Sequence, residues 1–379
     1  MAEKIRILHL RDTYEVGGPG KTILETVSHI DKSLFSVSIG VFGNGRDTGE
    51  SPFISEARKR GITVHVIRGG RYDPLIVREI ISLLKKLKID ILHTHEPRSD
   101  LFGCLAGKIS RTPIVATMHG WIANSWKQET IIRINKWAAR FFDYVIVVNV
   151  PMRDDLLKEG IPPPIISVLH NCIVKENYYR DQRKGYISQS IGKEIGSPVI
   201  GTLGRLSPEK GHGDFVEAAA IVLSRGYKAH FVIVGDGPEA GKIDGMISGK
   251  GLGDSVTMAG YLRDPRRVLQ EFDLMVLPSY SEGLPNVVLE SLMMEVPVIS
   301  TAVGGVPDII RDGEEGTLIP PGNPGTMAQA IIDFLNDPEK YKAMALKGKK
   351  IVEDRFDFKV RTLKLEKIYT EIMERVRAS

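Results

Sequence analysis

Short apolar runs rich in Val, Ile and Leu alternate along this chain with longer stretches whose apolar residues recur every three or four positions. Over the first half, the runs at 4–10, 37–42, 63–67, 90–94, 114–118 and 144–149 predict strands. Helical periodicity predicts helices over 20–30, 52–60, 75–87, 101–110 and 130–142. Strands separated by helices in this rhythm imply a parallel, doubly wound sheet. The rhythm loosens over 170–196, where Asn177, Tyr178, Tyr179 and Arg180 precede a polar Ser/Gln/Gly stretch, and this segment reads as a linker. It then restarts, with strands predicted over 198–203, 230–234, 255–258, 274–277, 297–300 and 316–319.

The last part departs from alternation. Residues 326–335, 338–352 and 358–376 read as three helices with no strand between them. A final long helix with nothing left to alternate with is expected to cross back onto the first domain. The predicted fold class is α/β, with two Rossmann-like domains in tandem: residues 1–172 plus 360–379, and residues 173–359. Parallel α/β sheets place ligands outside the carboxyl ends of their strands, so a cleft between two facing domains is the expected site.

Composition narrows the class. The chain has 379 residues, 42% hydrophobic and 26% charged, which excludes global disorder. Its apolar runs fall well short of the ~20 residues a membrane span needs. Met1-Ala2-Glu3-Lys4 leads directly into a strand pattern, so no signal peptide is expected, and a cytoplasmic setting follows. Two cysteines, Cys104 and Cys172, exclude a disulfide framework or a zinc ribbon. The net charge of +4 is uneven: residues 1–170 carry 24 Lys and Arg against 18 Asp and Glu. A basic front half suits phosphates or an anionic membrane, and equally an ordinary solvated surface. Nucleic acid is not expected, because no aromatic platform or binding motif accompanies the charge.

Two glycine-rich loops invite assignments that their neighbours exclude. Gly17-Gly18-Pro19-Gly20-Lys21-Thr22 resembles the end of a phosphate-binding P-loop, but Glu15 stands where that motif needs its first glycine. What remains is a pair, Gly17 and Gly18, where backbone N–H groups reach a ligand just before a helix, or else a tight turn with no ligand. Gly235-Asp236-Gly237-Pro238-Glu239-Ala240 matches a dinucleotide fingerprint, yet the next strand ends in Met258-Ala259-Gly260-Tyr261 without the required acid. Pro238 also lacks an N–H. Neither a P-loop ATPase nor a nicotinamide dehydrogenase is expected.

Two other segments carry more specific chemistry. Gly204-Arg205-Leu206-Ser207-Pro208-Glu209-Lys210-Gly211 puts Arg205 and Lys210 on the loop after the second domain's first strand. A planar fork and a compact point charge together suit the two phosphates of a nucleoside diphosphate. Ser281-Glu282-Gly283-Leu284-Pro285-Asn286-Val287-Val288-Leu289-Glu290 follows a predicted strand, with Asn286 a plausible helix start. Backbone N–H groups around Pro285, Asn286 and Val287 would add a helix dipole for phosphate charge. On a continuous helix Glu282 and Glu290 would lie ~12 Å apart. That exceeds the ~5–9.5 Å of paired glycosidase carboxylates, and suits gripping two ends of one elongated ligand.

The Glu282-x7-Glu290 spacing resembles the E-x7-E motif of the retaining glycosyltransferases of family GT4, which have the GT-B fold. The Gly17-Gly18 loop, Thr94-His95-Glu96-Pro97, Met118-His119-Gly120, Arg205 with Lys210, Val234 to Glu239 and the final helix stand in the order of that family. The resemblance implies that Arg205 and Lys210 hold a donor diphosphate and that Glu290 holds ribose hydroxyls. It implies that Glu282, with the backbone of Gly283, Leu284, Pro285, Asn286 and Val287, holds the transferred sugar and its phosphate. Gly18 would let the first domain close over the diphosphate, Gly235 would line the donor side, and His119 would lie near the reacting sugar. The family often has Asn-Gly-x-Asp where this chain has Asn171-Cys172-Ile173-Val174, which leaves the hinge open.

The implied reaction moves a hexose from a UDP- or GDP-sugar to a hydroxyl of a saccharide or lipid-linked acceptor, with retention and without a cofactor. A sugar-nucleotide epimerase and a non-catalytic nucleotide-sugar-binding protein are the alternatives on the same fold. No Asp-x-Asp motif for a divalent ion is present. His93 and His95 would share one strand face as a conceivable metal pair, but no third ligand is evident, so no metal is expected. On the acceptor side, residues 126–142 read as an amphipathic helix. Arg133, Lys136 and Arg140 lie on one face and Ile131, Ile134, Ala138 and Phe141 on another, flanked by Trp126, Trp137 and Phe142. Such a helix either rests on an anionic membrane or packs its apolar face into the core.

Overall fold

The computed structural model describes residues 3–12, 16–43, 51–70, 73–121, 126–179, 185–191, 196–262 and 264–378. Every strand pairing is parallel, and the central strands are buried on both faces, which is why they read as near-continuous apolar runs. The first sheet contains β1 (Ile5–Arg11), β2 (Phe35–Phe42), β3 (Val64–Ile67), β4 (Ile91–Thr94), β5 (Ile114–Met118), β6 (Tyr144–Val147) and β7 (Ile166–Val168), in the spatial order 3-2-1-4-5-6-7. The second contains β8 (Val199–Leu203), β9 (His230–Val234), β10 (Val256–Gly260), β11 (Leu274–Leu277), β12 (Val298–Thr301) and β13 (Thr317–Ile319), in the order 10-9-8-11-12-13. In each sheet the order reverses beside the first strand, at β1/β4 and at β8/β11. Such reversals are where loops diverge and leave room for a ligand.

The chain forms two compact units, residues 1–172 with 358–379, and residues 173–357. In the first unit the helix Leu75–Leu87 buries Ile76, Ile80 and Leu84, one stripe at four-residue spacing, and ends on Lys88 in the left-handed conformation. The C-terminal helix Phe358–Ala378 buries Leu365, Ile368, Tyr369 and Ile372 against Ile7, Ile91, Val115 and Ile146 of the sheet. Each such side chain withdrawn from water contributes roughly 1.5–3 kcal/mol. The second unit is organised around Ile200, Phe231, Ile233, Leu274, Val276 and Ile299, covered by helices that include His212–Ser224 and Pro324–Asn336.

One local expectation is corrected and one open alternative is narrowed. Part of the segment read as a linker is structured: helix Tyr186–Ile191 belongs to the second unit, and the Glu271 carboxylate accepts from the N–H groups of Tyr186 (2.6 Å) and Ile187 (2.9 Å). A distant carboxylate stabilises this helix start, and local periodicity cannot report that. Of the predicted apolar face of the helix Trp126–Ala138, only Ala138 is buried. Ile131, Ile134, Trp137 and Phe141 are exposed, and Asn135, Ala138 and Ala139 point inward. Asn135 donates to buried Asp100 (2.7 Å), so small and polar residues make the inner contact.

Candidate active site

In the second unit, β8 delivers its chain into a loop that runs against the loop after β9. A Cβ on Gly235 (φ 144°) would lie 1.8 Å from the carbonyl oxygen of Gly204, and one on Gly237 would lie 2.4 Å from that of Leu206. Glycine is therefore required where the two backbones touch. Hydrogen bonds from Leu206 N–H to the Asp236 carbonyl (3.0 Å) and from Glu239 N–H to the Leu206 carbonyl (2.9 Å) close the contact. The Gly235-x-Gly237 pair thus serves loop–loop packing. His212 reinforces the same loop, its Nε2 lying 3.2 Å from the Arg205 carbonyl oxygen. Burial holds that ring neutral, with its pKa lowered to about 4.

Arg205 stands exposed on this loop, and Lys210 lies half-buried at its far end. Lys210 Nζ donates to both oxygens of Glu282, at 2.7 and 2.9 Å, and Ser279 Oγ donates to Glu282 Oε1 at 2.6 Å. The bidentate pair ties the loop after β8 to the loop after β11. A second tie forms where Tyr280 N–H donates to the Glu209 carbonyl at 2.8 Å. Gly283 accepts at its carbonyl from Gly305 N–H (2.7 Å), and a Cβ on Gly304 would meet the Glu282 carbonyl oxygen at 1.9 Å. Leu284 and Pro285 are buried, and the helix Asn286–Met293 begins at Asn286, with Val287 in its first turn. Its first N–H groups lack a side-chain cap, so this end of the helix carries donors and a positive dipole.

Glu290 sits on that helix, 5% exposed, and accepts a hydrogen bond from Tyr178 Oη at 2.8 Å. The two glutamates therefore occupy different local settings: Glu282 lies on a loop, paired with a lysine, and Glu290 lies on a buried helix face beside a tyrosine. Tyr178 and His212 were not singled out in the sequence. Tyr178 falls in the segment read as linker, and His212 carries no motif.

In the first unit the Gly17-Gly18 pair opens the helix Gly17–His29 directly, with Gly17 at φ 47°, and Glu15 lies outside the described residues. Gly20 has a definite packing reason, since a Cβ there would lie 2.1 Å from the Arg11 guanidinium. Arg11, at the carboxyl end of β1, is 1% exposed, lies over the Phe53 ring at 4.1 Å and pairs with Glu96 at 3.3 Å. Burial pushes the Glu96 pKa up to about 7, partly offset by Arg11. Arg98 pairs with Asp12 at 2.5 Å.

Beside this charged group lies a row of imidazoles. His9 on β1 is in register with His93 on β4, and His95 and His119 follow the ends of β4 and β5. Three of them, His9, His93 and His95, are fully buried and offer ligand atoms within 4.8 Å of one another, so the third imidazole absent from local sequence is supplied by β1. Each nitrogen of those three rings already has a hydrogen-bond partner. His9 Nδ1 lies 2.8 Å from His95 Nε2, and His9 Nε2 lies 3.3 Å from Tyr369 Oη. His93 contacts Tyr369 Oη (2.6 Å) and Thr117 Oγ1 (2.7 Å), and His95 Nδ1 lies 3.2 Å from His119 Nε2. Burial keeps all four rings neutral, with His9 and His119 lowered to about 3. His119 Nδ1 and Trp121 Nε1 are buried without a partner among the described residues.

Comparisons with known proteins agree with this architecture. The "Glycosyl transferases group 1" model matches residues 184–351, and the "Glycosyltransferase Family 4" model matches residues 16–176. The 2-deoxystreptamine glucosyltransferase of Streptomyces kanamyceticus is 30% identical over 299 residues, covering 73% of this chain and 76% of that protein. The UDP-Gal:alpha-D-GlcNAc-diphosphoundecaprenol alpha-1,3-galactosyltransferase of Escherichia coli is 27% identical, covering 78% of each chain. Among solved structures, Anabaena HepE in complex with UDP and glucose superposes with a TM-score of 0.85 at 21% identity, over 97% of this chain and all of that one. With the fold and both halves of the sequence in agreement, the chain is a glycosyltransferase of the GT-B fold and belongs to family 4, the group 1 glycosyl transferases.

Proposed function

We propose that this enzyme transfers a hexose from a nucleoside-diphosphate sugar, UDP- or GDP-linked, to a hydroxyl of a saccharide or lipid-linked acceptor, retaining configuration and using no metal. The observation that carries this reading is the Lys210–Glu282 pair, which joins two strand-end loops next to the open end of the helix Asn286–Met293. Breaking a sugar–phosphate bond places charge on the departing diphosphate. Lys210 has a third N–H direction free of Glu282, Arg205 is exposed on the same loop, and the uncapped helix offers backbone donors. These are cationic and dipolar groups suited to stabilising a leaving phosphate. Glu290, held by Tyr178, is the candidate ribose acceptor. The departing phosphate oxygen would take the acceptor proton on the same face, which calls for no protein nucleophile.

The UDP-bound state of HepE and the lipid-diphosphate substrate in the name of the galactosyltransferase both support this substrate class. Peripheral contact with the inner face of an anionic membrane is part of the reading. Ile134, Trp137 and Phe141 are exposed, and so are Leu101, Leu105 and Ile109 on the helix Pro97–Ser110, which packs on the same helix; Arg133 and Arg140 border them. Apolar side chains rimmed by cations suit that surface. No helix among the described residues is long and apolar enough to cross a membrane.

The test is thermal shift of the purified protein with UDP, GDP, ADP or NAD, each with and without EDTA. A ligand bound only by the folded state raises the melting temperature by mass action. Stabilisation by one nucleoside diphosphate, unchanged by EDTA, is the expected result. Stabilisation by NAD alone, or by nucleotide only with metal, would overturn the reading.

A further inference from the structure

The four imidazoles, Tyr369 and Thr117 form one unbranched line of hydrogen bonds, Thr117–His93–Tyr369–His9–His95–His119, with His119 Nδ1 at its open end. A neutral imidazole carries one N–H and one lone pair, and a phenol has a single proton to give. In such a line each donor choice dictates the next, so with the Tyr369 proton given to a ring of the row the whole row has only two settings. Either every ring carries its proton on Nδ1, or every ring carries it on Nε2. The Tyr369 hydroxyl joins the two halves of the row, and its two bonds are unequal. The contact to His93 Nδ1 is close (2.6 Å) and that to His9 Nε2 is loose (3.3 Å); a phenol is a better donor than acceptor, so its proton belongs on the close side.

We propose that Tyr369 donates to His93 and thereby sets all four rings as the Nε2–H tautomer, so that His119 presents the lone pair of Nδ1 as an acceptor for a substrate hydroxyl. Tyr369, His9, His93 and His95 are then positioning residues for His119, acting from the C-terminal helix through β1 and β4. The surroundings favour an uncharged row. Arg361 on the C-terminal helix and Arg11 on β1 are buried cations facing it, and Glu96, next to His95 in the chain, is paired with Arg11. A metal ion would have to replace bonds that all of these rings already make.

The part of this inference that gives His119 a substrate hydroxyl rests on the proposed transferase reaction; the tautomer assignment does not. Long-range proton–nitrogen NMR of the full chain, labelled with 15N-histidine, reads each ring's tautomer with no substrate present. The expected result is Nε2–H at His9, His93, His95 and His119. Any of these rings in the Nδ1–H form, or a stoichiometric metal ion on them, would overturn the proposal. Tyr369→Phe keeps the ring and removes the coupling hydroxyl. It should leave His9, His95 and His119 as tautomer mixtures and lower donor turnover about tenfold, with the donor KM within twofold of the parent. Should Tyr369→Phe not fold, Thr117→Val and Thr117→Ser test the other end. With Tyr369 setting the row, both variants should keep Nε2–H at His93 and at the other three rings; an Nδ1–H form at His93 in either variant would show that Thr117 sets the tautomer and would sink the idea. Tautomers as expected in a protein that shows no transfer would discard the reaction and keep the hydrogen-bonded line.

Discussion

The two units have closely matching sheets, with the order reversing beside the first strand in each, yet they place polar groups at the strand ends by opposite means. In the second unit the chemistry sits on loops held by backbone contact, where Gly235, Gly237 and Gly304 let carbonyls approach and a lysine–glutamate pair locks the result. In the first unit the polar groups are strand residues themselves: His9, His93 and Thr117 lie within the sheet and are hydrogen-bonded to one another and to the C-terminal helix. One unit gathers a lysine–glutamate pair and an exposed arginine on its strand-end loops, and the other holds a row of neutral imidazoles in its core. The difference follows from physics. A diphosphate calls for charge and exposed N–H donors, whereas buried imidazoles persist only when neutral and hydrogen-bonded.

The largest effect is expected at the charged site. Lys210→Ala should lower turnover by ~100- to 1,000-fold, the range for removing one donor aimed at developing charge. It should also lower stability, because Glu282 then loses its cation and keeps the Ser279 hydroxyl bond. Steady-state kinetics beside urea melts separates the two effects. Glu290→Ala should instead raise the donor Kd with a smaller change in turnover, seen by titrating the nucleoside diphosphate. Full activity in either variant would dissolve the distinction between a charged site proposed to bind the donor and a neutral buried network.

Next comes packing. Gly235→Ala places a methyl group 1.8 Å from the Gly204 carbonyl oxygen at a positive φ and should cost about 1–3 kcal/mol, read as a lower urea midpoint. Gly61→Ala is the comparison within the first unit. Its Cβ meets nothing within 4 Å, so only its positive φ of 70° is penalised and the loss should be smaller.

The pH response should separate the units as well. His9 and His119 bind protons more weakly when folded (about 3) than their ordinary value of 6.5. The unfolded chain therefore takes up protons first, and stability falls as pH drops below about 6.5 toward 3. Glu96 acts with the opposite sign. Its folded value is raised to about 7, so its contribution to stability is lost as pH rises from about 4.5 through 7. Melts from pH 4 to 8 with a fluorescence probe in each unit should show the first unit losing more on the acid side. The smallest effect is expected at the exposed face: Trp137→Ser should change stability by no more than about 0.5 kcal/mol. It should leave activity on a soluble acceptor unchanged while reducing sedimentation with anionic vesicles.

Much of this molecule could be read from local pattern. The strands at Ile114–Met118, His230–Val234 and Leu274–Leu277 and the helix Leu75–Leu87 match their predicted bounds, because apolar runs and three-to-four spacing are written in consecutive residues. The alternation alone implied two doubly wound sheets, and the E-x7-E spacing with Arg205 and Lys210 pointed to the family. Tertiary structure decided what depends on distant partners. The helix Tyr186–Ile191 starts where Glu271, some 85 residues away, accepts its N–H groups. The helix Trp126–Ala138 turns Ile134 and Trp137 outward because Asn135 bonds Asp100. His93 and His95 became part of a continuous row only when β1 supplied His9 and the C-terminal helix supplied Tyr369, 276 residues from His93. Hydrophobic periodicity is a property of neighbours in sequence. A buried polar group needs a partner, and the partner's position is set only by the packed fold.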